Sequence, residues 1–302
     1  SYTDLRHKLY GYYAFRLTQN MSLKAGVAAE SSSPNSNGLK RDYLIFQPYA
    51  DFKYNPSKSV DFKLKYRAKT NYPGIGQTNP FTYVIDQQTV RTGNPLLRPE
   101  LTHKVSLQTN ILGGFITIEP YYHFSKNLIT ETGVLRPDTI FEYNYGNAGD
   151  YKNYGIEGRI QFPLGKKLFV ETSVDIFKSR IKYGTSTNNV NDWTMSNQFV
   201  YVEEKTGFVA GFQYQNNLRK YITAQGYSKG DNDFWIVFVQ RPFLKKQLSV
   251  MLLYFTPIMW GVDVNQGSYM NTGTYTETKM YDIGMLKNML MLEVSYRFNK
   301  GK

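Results

Sequence analysis

Few side chains in this sequence are spaced for chemistry. His7, His103 and His123 are its imidazoles. A metal centre or a general base needs such a group beside a second ligand or a nucleophile. Gly113-Gly114 reads as a two-residue hairpin turn, where positive φ costs little. Counting outward from it sends His103 and His123 to opposite faces, so they form no ligand pair. Glu203-Glu204 and Asp231/Asp233 offer carboxylates for acid–base work or cation binding. They fall in expected connections, where charge is solvated. The sequence has no cysteine, which excludes thiolate nucleophiles, thiolate metal sites and disulfides. Gly113-Gly114 also lacks the spacing and following helix of a phosphate loop. No catalytic, cofactor or metal residue is assigned, and the chain is expected not to be an enzyme.

The chemistry that does repeat is an ionic row. In Val60–Lys69 the residues Asp61, Lys63, Lys65, Arg67 and Lys69 alternate with Val60, Phe62, Leu64, Tyr66 and Ala68. Successive side chains of a strand point to opposite faces, so this stretch has one ionic and one apolar face. About ten alternating residues is what a tilted strand needs to cross a bilayer. The phase recurs with Glu157 and Arg159 opposite Tyr154, Ile156, Ile160 and Phe162, and with Glu171 and Asp175 opposite Val170, Val174 and Ile176. These charged residues are expected to face a lumen. The ionic wall either lines a solute path or is hydrogen-bonded against a plug.

The elements that position this row are read in chain order. Strands are expected from Tyr10 to Leu17 and over Met21–Ala29, then a polar loop from Ser31 to Arg41. A strand over Leu44–Tyr54 follows, interrupted at Pro48, with the turn at Asn55–Ser59. Pairing Tyr54 with Val60 keeps Phe52–Phe62 and Ala50–Leu64 on one face. Asn71 to Glu100 is long and irregular, the mark of a functional surface loop. The Gly113-Gly114 register sets Ile116, Ile118, Pro120 and Tyr122 opposite Ile111, Thr109, Leu107 and Val105. This hairpin is expected to run outward to a turn near Gly133–Pro137 and return through Ile140 to Phe162. Tight turns fall at Pro163–Lys167 and Glu203–Thr206. Polar loops are expected at Gly184–Asp192, Asn216–Asp233 and Asn265–Thr278. Leu248 to Phe255 is apolar on both sides, so its faces stay unassigned. Leu290, Leu292, Val294, Tyr296 and Phe298 form the apolar side of a last strand.

Short and long connections alternate, as in outer-membrane barrels with short periplasmic turns and long outer loops. The expected fold is all-β, an antiparallel transmembrane β-barrel with about thirteen strands in this chain. An odd count starting outside cannot close an even-stranded barrel, so either one strand is unread or, the preferred reading, further strands belong to an upstream piece. Aromatics at 16%, with 26 Tyr and 19 Phe, suit the girdles of such a barrel. Trp193, Trp235, Trp260 and many Tyr are expected near membrane interfaces. No run of about eighteen apolar residues exists for a spanning helix. The residues from Ser1 to Arg6 show no signal-peptide core, so an exported protein implies a mature or internal piece. The net charge of +12 raises nucleic acid as a partner, but the cations are spread over strands and turns with no binding motif. No nucleic-acid partner is expected.

Asn79-Pro80-Phe81 followed by Gly93-Asn94-Pro95-Leu-Leu-Arg-Pro99-Glu100 resembles the loop-to-strand signature of barrels allied to TonB-dependent receptors. Asn147-Ala-Gly149 with Tyr154-Gly-Ile-Glu157, and the end Val294–Phe298, are similar to later strands of that family. The resemblance covers nearly the whole chain. It implies the C-terminal part of a barrel of about twenty-two strands, with a plug and TonB box outside residues 1–302. It implies uptake of a nutrient or chelated solute across the Gram-negative outer membrane, by loop binding and gated passage. Its partners would be membrane lipid, lipopolysaccharide, TonB and a surface lipoprotein. It also implies that Tyr296 and Phe298 form a terminal insertion signal. The Gly93–Glu100 block either shapes a ligand-facing loop or rigidifies strand entry. The rival reading is a non-transporting barrel that serves as an accessory subunit of an outer-membrane assembly for secretion or insertion. A soluble carbohydrate-binding or hydrolytic β-domain fits the aromatics but leaves the alternating loop lengths unexplained.

Overall fold

A computed structural model describes residues 2–36, 38–216, 220–230, 234–257, 265–282 and 289–298. Asp231, Asp233, Trp260 and the positions after Phe298 lie outside the described residues. In chain order β1 (Tyr2–Arg16), β2 (Met21–Ser36), β3 (Leu39–Lys40), β4 (Tyr43–Tyr54) and β5 (Val60–Asn71) lead to a helical turn, α1 (Ile75–Thr78). Next come β6 (Tyr83–Asp86), β7 (Thr89–Arg91), β8 (Glu100–Ile111), β9 (Ile116–Ser125), β10 (Leu128–Leu135) and β11 (Phe141–Ala148). The wall continues in β12 (Asp150–Leu164), β13 (Leu168–Tyr183), β14 (Ser186–Glu203) and β15 (Phe208–Asn216). The remaining strands are β16 (Tyr221–Ile222), β17 (Gly226–Gly230), β18 (Phe234–Phe243), β19 (Leu248–Pro257), β20 (Asn265–Asn271), β21 (Thr276–Asp282) and β22 (Met289–Tyr296).

One 14-stranded sheet carries the fold, in the order β1-β2-β4-β5-β8-β9-β12-β13-β14-β15-β18-β19-β22, with β3 on β2. All its pairings are antiparallel. Among the described residues β1 and β22 are its two unpaired edges. Two smaller sheets, β10-β11-β7-β6 and β16-β17-β20-β21, are built from the long connections.

Burial in the wall runs opposite to that of a soluble protein. Ile176 is 62% exposed and Ile156 56%, while Asn153 is 1% exposed and Ser106 3%. Apolar side chains point away from the protein and small polar ones point into it, as a sheet solvated by lipid requires. The described hydrophobic core instead lies in the loops, where Phe141, Tyr143 and Met270 pack with Tyr275.

The expected phase holds, with local corrections. Tyr54 pairs with Phe62 and Ala50 with Tyr66, two residues from the expected register. A slip of two leaves every side chain on its face, so alternation alone does not fix it. Pro48 has no N–H to give a ladder, and the β4–β5 pairing ends at its neighbour Tyr49. The β8–β9 register is as expected, with Ile111 opposite Ile116 and Thr109 opposite Ile118. Its turn is longer than two residues. Leu112, Gly113 and Gly114 all take positive φ, at 55°, 70° and 98°.

The outward segments are more ordered than expected. β1 starts at Tyr2, well before Tyr10. Gly184–Asp192 is not a loop, because β13 and β14 pair up to Tyr183 and Ser186. Beyond the membrane a ladder needs no apolar side chains, so polar composition there does not mean coil. Asn71–Glu100 holds α1, β6 and β7 rather than irregular chain. Asn265–Thr278 is largely the β20–β21 hairpin, and β10 and β11 leave the wall for their own sheet. Pairing with β18 and β22 settles the faces of β19: Leu248, Val250, Leu252 and Tyr254 share the apolar side with Val239 and Leu292.

Candidate solute path and ligand-facing loops

Asp61, Lys63, Lys65, Arg67 and Lys69 share the face opposite Phe62, Leu64 and Tyr66. Cross-strand pairing adds Glu157, Arg159, Glu171 and Asp175 to it through Glu119, Thr117 and Ser173. Hydrogen bonds and ion pairs link part of this polar face, across β4, β5, β8 and β9. The Lys65 ammonium donates to Gln108 at 2.5 Å and lies 3.5 Å from Glu119. Lys104 approaches the other oxygen of Glu119 at 3.9 Å. Asn110 donates to Asp61 at 2.9 Å and accepts from Thr117 and Gln108. Lys63 sits 3.4 Å from Asp61, and Arg67 reaches Asp51 at 2.9 Å.

Glu119, Glu157 and Asp175 stand directly opposite one another on three successive strands. Like charges in that relation repel. Two cations beside Glu119 and the Tyr121 hydroxyl, which donates to Asp175 at 2.9 Å, offset the repulsion. Gly155 makes that last contact possible, since a Cβ there would sit 2.8 Å from the Tyr121 hydroxyl and 2.4 Å from the Ile176 carbonyl oxygen.

His103 and His123 fall on opposite faces. His103 stacks with Phe124 at 4.7 Å between ring centres and its Nδ1 lies 2.9 Å from the Tyr66 hydroxyl. His123 lies beside Tyr121 on the polar side. Among the described residues no three His, Asp or Glu side chains gather as a metal site. Trp193, Trp235, Tyr66, Tyr122, Tyr154 and Tyr254 lie on the apolar face toward the long connections, where an interfacial girdle belongs. Glu203 is ion-paired across the short turns with Lys167, which holds its carboxyl below the ordinary range. Glu203 is thus a turn anchor.

The loop block of Asn79–Phe81 and Gly93–Glu100 bonds to itself. Gly93 N–H donates to the Asn79 carbonyl at 2.9 Å, and Asn94 N–H to Gln77 at 2.7 Å. The Asn79 side chain accepts from Phe81 N–H, and the Asn94 side chain accepts from Leu96 N–H. Pro80 and Pro95 follow these two asparagines and fix the chain leaving each turn. Asn94 also donates to Tyr145 on β11. Buried Pro99 and Glu100 open β8, with Glu100 accepting from the Thr102 hydroxyl and Ile129 N–H. Asn147 accepts from Arg98 N–H and donates to the Arg98 and Asn127 carbonyls. The two sequence blocks are therefore each other's hydrogen-bond partners.

Above them the loop sheets interlock. The Gln225 side chain bonds both the N–H and the carbonyl of Gly133, at 2.7 and 3.0 Å. Phe141 stacks on Tyr275 at 4.2 Å. Arg91 pairs with Glu131 at 2.8 Å, and Lys279 lies 4.1 Å above the Tyr143 ring. Sequence reading missed this head because its contacts join residues far apart in the chain, 40 positions for Arg91 and Glu131 and 92 for Gly133 and Gln225. Tyr296 and Phe298 touch at 4.7 Å on the last strand's apolar side, with Phe298 fully outward.

With this geometry in view, comparison with known proteins is decisive for the class. The sequence profile of the outer membrane protein beta-barrel family matches residues 1–291. The chain belongs to that family, an outer-membrane barrel of Gram-negative bacteria rather than an enzyme. No curated protein sequence matches it significantly. Among solved structures it is similar to the copper transporter OprC, at TM-score 0.68 and 10% identity over 97% of this chain and 48% of that one. It is similar to the siderophore receptor PirA from Pseudomonas aeruginosa, at 0.60 and 13% over 92% and 48%. The FrpB iron transporter from Neisseria meningitidis (F5-1 variant) gives 0.61 and 14% over 98% and 46%. At these identities the likeness is one of fold. The chain spans about half the length of these structures.

Proposed function

We propose that this chain is the C-terminal barrel portion of a TonB-dependent-receptor-like importer of a nutrient or chelated solute. The observation that carries the reading is the pairing of an ion-paired polar wall with an ordered, interlocked head built from its long connections. A passive pore needs no such head. A receptor needs one to hold ligand, and the polar wall then lines the path taken after release. On this reading Asp61, Lys63, Lys65, Arg67, Lys69, Glu157, Arg159, Glu171 and Asp175 line the lumen. The open edges at β1 and β22 support the same view, since an unpaired edge in lipid is costly and further strands must cover it. A plug and TonB box would belong to that remaining part. The similar structures are a siderophore receptor, an iron transporter and a copper transporter, which suggests a chelated metal as solute.

The test is binding of the periplasmic domain of TonB to the full-length protein in detergent, measured by calorimetry. The reading expects saturable binding that a peptide spanning the TonB box abolishes. No heat at any ratio overturns it.

A second reading, an accessory barrel of a secretion or insertion assembly, is favoured by one feature. The polar face turns apolar over the last strands at Ile236, Phe238, Met251, Leu253 and Met291, a surface suited to a permanent protein neighbour. Co-purification of a stoichiometric second polypeptide, with no TonB binding, would support it.

A further inference from the structure

The polar face is unevenly charged along its length. Farther up the wall Lys8 lies 3.3 Å from Glu30, Arg67 2.9 Å from Asp51 and Lys65 3.5 Å from Glu119. At the end that carries the short turns this matching stops. Arg16, Ser22, Lys53 and Lys63 stand directly opposite one another across β1, β2, β4 and β5, and no carboxylate interrupts the row. Like charges directly opposite repel, so Lys53 and Lys63 sit side by side at a cost. Lys58, in the turn between β4 and β5, adds a third ammonium.

The nearby counter-charge is Asp61, and it is already engaged. It accepts from the Asn110 side chain at 2.9 Å and lies 3.4 Å from Lys63. Arg16 donates to the Gln19 carbonyl at 3.5 Å. Arg16, Lys53 and Lys58 have no acidic partner among the described residues.

A cavity of about 600 Å³ lies between these groups, lined by the three lysines, Asp61, Asn20, Asn55 and Ser57. Its uncharged groups are donors too. Ser57 Oγ accepts from the N–H groups of Ser59 and Val60, each at 3.2 Å, which leaves its O–H to donate. Asn55 N–H donates to the Asn20 carbonyl at 2.8 Å, so the two short turns form one rim, and each brings a carboxamide to the lining. Three ammoniums, a hydroxyl and two carboxamides around one occupied carboxylate are suited to several negative oxygens at once.

We propose that this rim binds a small multivalent oxyanion, a phosphate ester or a polycarboxylate, between Lys53, Lys58 and Lys63. Its place at the short-turn end of the polar face is where a solute moving along the wall is held last. The binding itself does not depend on whether the barrel imports anything.

The experiment titrates citrate and, separately, pyrophosphate into the full-length protein in detergent at low ionic strength, followed by calorimetry. Saturable binding of at least one is expected, weakening as salt is added because the ammoniums are open to solvent. The tighter of the two tells carboxylate from phosphate. Acetate, with a single charge, is expected not to compete at equal concentration. Lys53→Gln/Lys63→Gln is expected to lose about tenfold in affinity, roughly threefold for each solvated ammonium. Lys178→Gln/Lys182→Gln, on the apolar face, is expected to bind like the parent. Heat-modifiable gel mobility confirms that each variant is folded. No binding by the parent overturns the proposal, as does equal affinity of the parent and the Lys53/Lys63 variant. So does an equal loss in the apolar-face control, or full competition by acetate. Binding of tetraglutamate with neither small anion bound overturns it in favour of an acidic peptide. If the double variant does not fold, Lys58→Glu, in an exposed turn, decides: affinity equal to the parent's overturns the proposal.

Discussion

Replacing Gly93 with alanine tests whether the loop block is a clasp or a ligand contact. A Cβ at this position would lie 2.4 Å from the Asn79 carbonyl oxygen, 2.7 Å from its nitrogen and 2.9 Å from the Gln77 carbonyl oxygen. All three obstacles are backbone, so no rotamer change relieves them. The chain must separate there, which breaks the Gly93–Asn79 and Asn94–Gln77 hydrogen bonds. At a net 0.5–1.5 kcal/mol each, the local cost is about 1–3 kcal/mol. That corresponds to roughly a five- to 150-fold loss of protection for amides of the loop between β5 and β8. The wall should not notice, because neither bond belongs to it. Hydrogen exchange on the full-length protein, resolved by peptide, makes the comparison. Faster exchange confined to residues 72–99 is expected. Unchanged exchange there, or a loss spread through β5 and β8, refutes the clasp.

Leu107 and Gln108 are neighbours on opposite faces of β8. Leu107→Arg is expected to cost about 2–4 kcal/mol near the bilayer midplane, and Gln108→Glu, which keeps an acceptor for the Lys65 ammonium, no more than about 1 kcal/mol, read from urea midpoints in vesicles. Similar midpoints for the two contradict the facing. Gly155→Ala forces a Cβ between the Ile176 carbonyl and the Tyr121 hydroxyl and is expected to lower stability by about 1–3 kcal/mol. An unshifted urea midpoint would show that β12 and β13 have room there. The Lys167 ammonium holds the Glu203 carboxyl below its ordinary value through a hydrogen bond. Lys167→Gln is expected to raise that titration toward the ordinary range, as followed by carbon NMR of labelled glutamate, and an unmoved curve removes the pair.

Alternation made the wall legible. Ile118, Ile156 and Ile176 each follow a two-residue period that only a strand with unlike faces explains, and the tight turns keep that period in phase. The two-residue slip at Tyr54 was invisible because both registers obey the same parity. Polar stretches misled in one direction. Thr187, Asn188 and Asn189 read as loop although β14 runs through them, since a ladder in water carries no hydrophobic mark. The head was illegible for another reason, because Gln225 and Gly133 meet only through the folded connections. Of the site, the charged row from Asp61 to Lys69 was read directly, and the motif residues were found without their partners.

The central claim is that the even-numbered side chains from Val60 to Ala68 meet lipid and the odd-numbered ones do not. Residues 1–302 hold no cysteine, so single cysteines at positions 60 to 69 can carry nitroxide labels, with the unsubstituted full-length protein, labelled in the same way, as the background. Collision with oxygen, which partitions into lipid, and with a water-soluble nickel chelate is measured by electron paramagnetic resonance in bilayers. High oxygen access at 60, 62, 64, 66 and 68, with low access at the residues between, is the predicted result. The opposite phase, or access that does not alternate, contradicts the account.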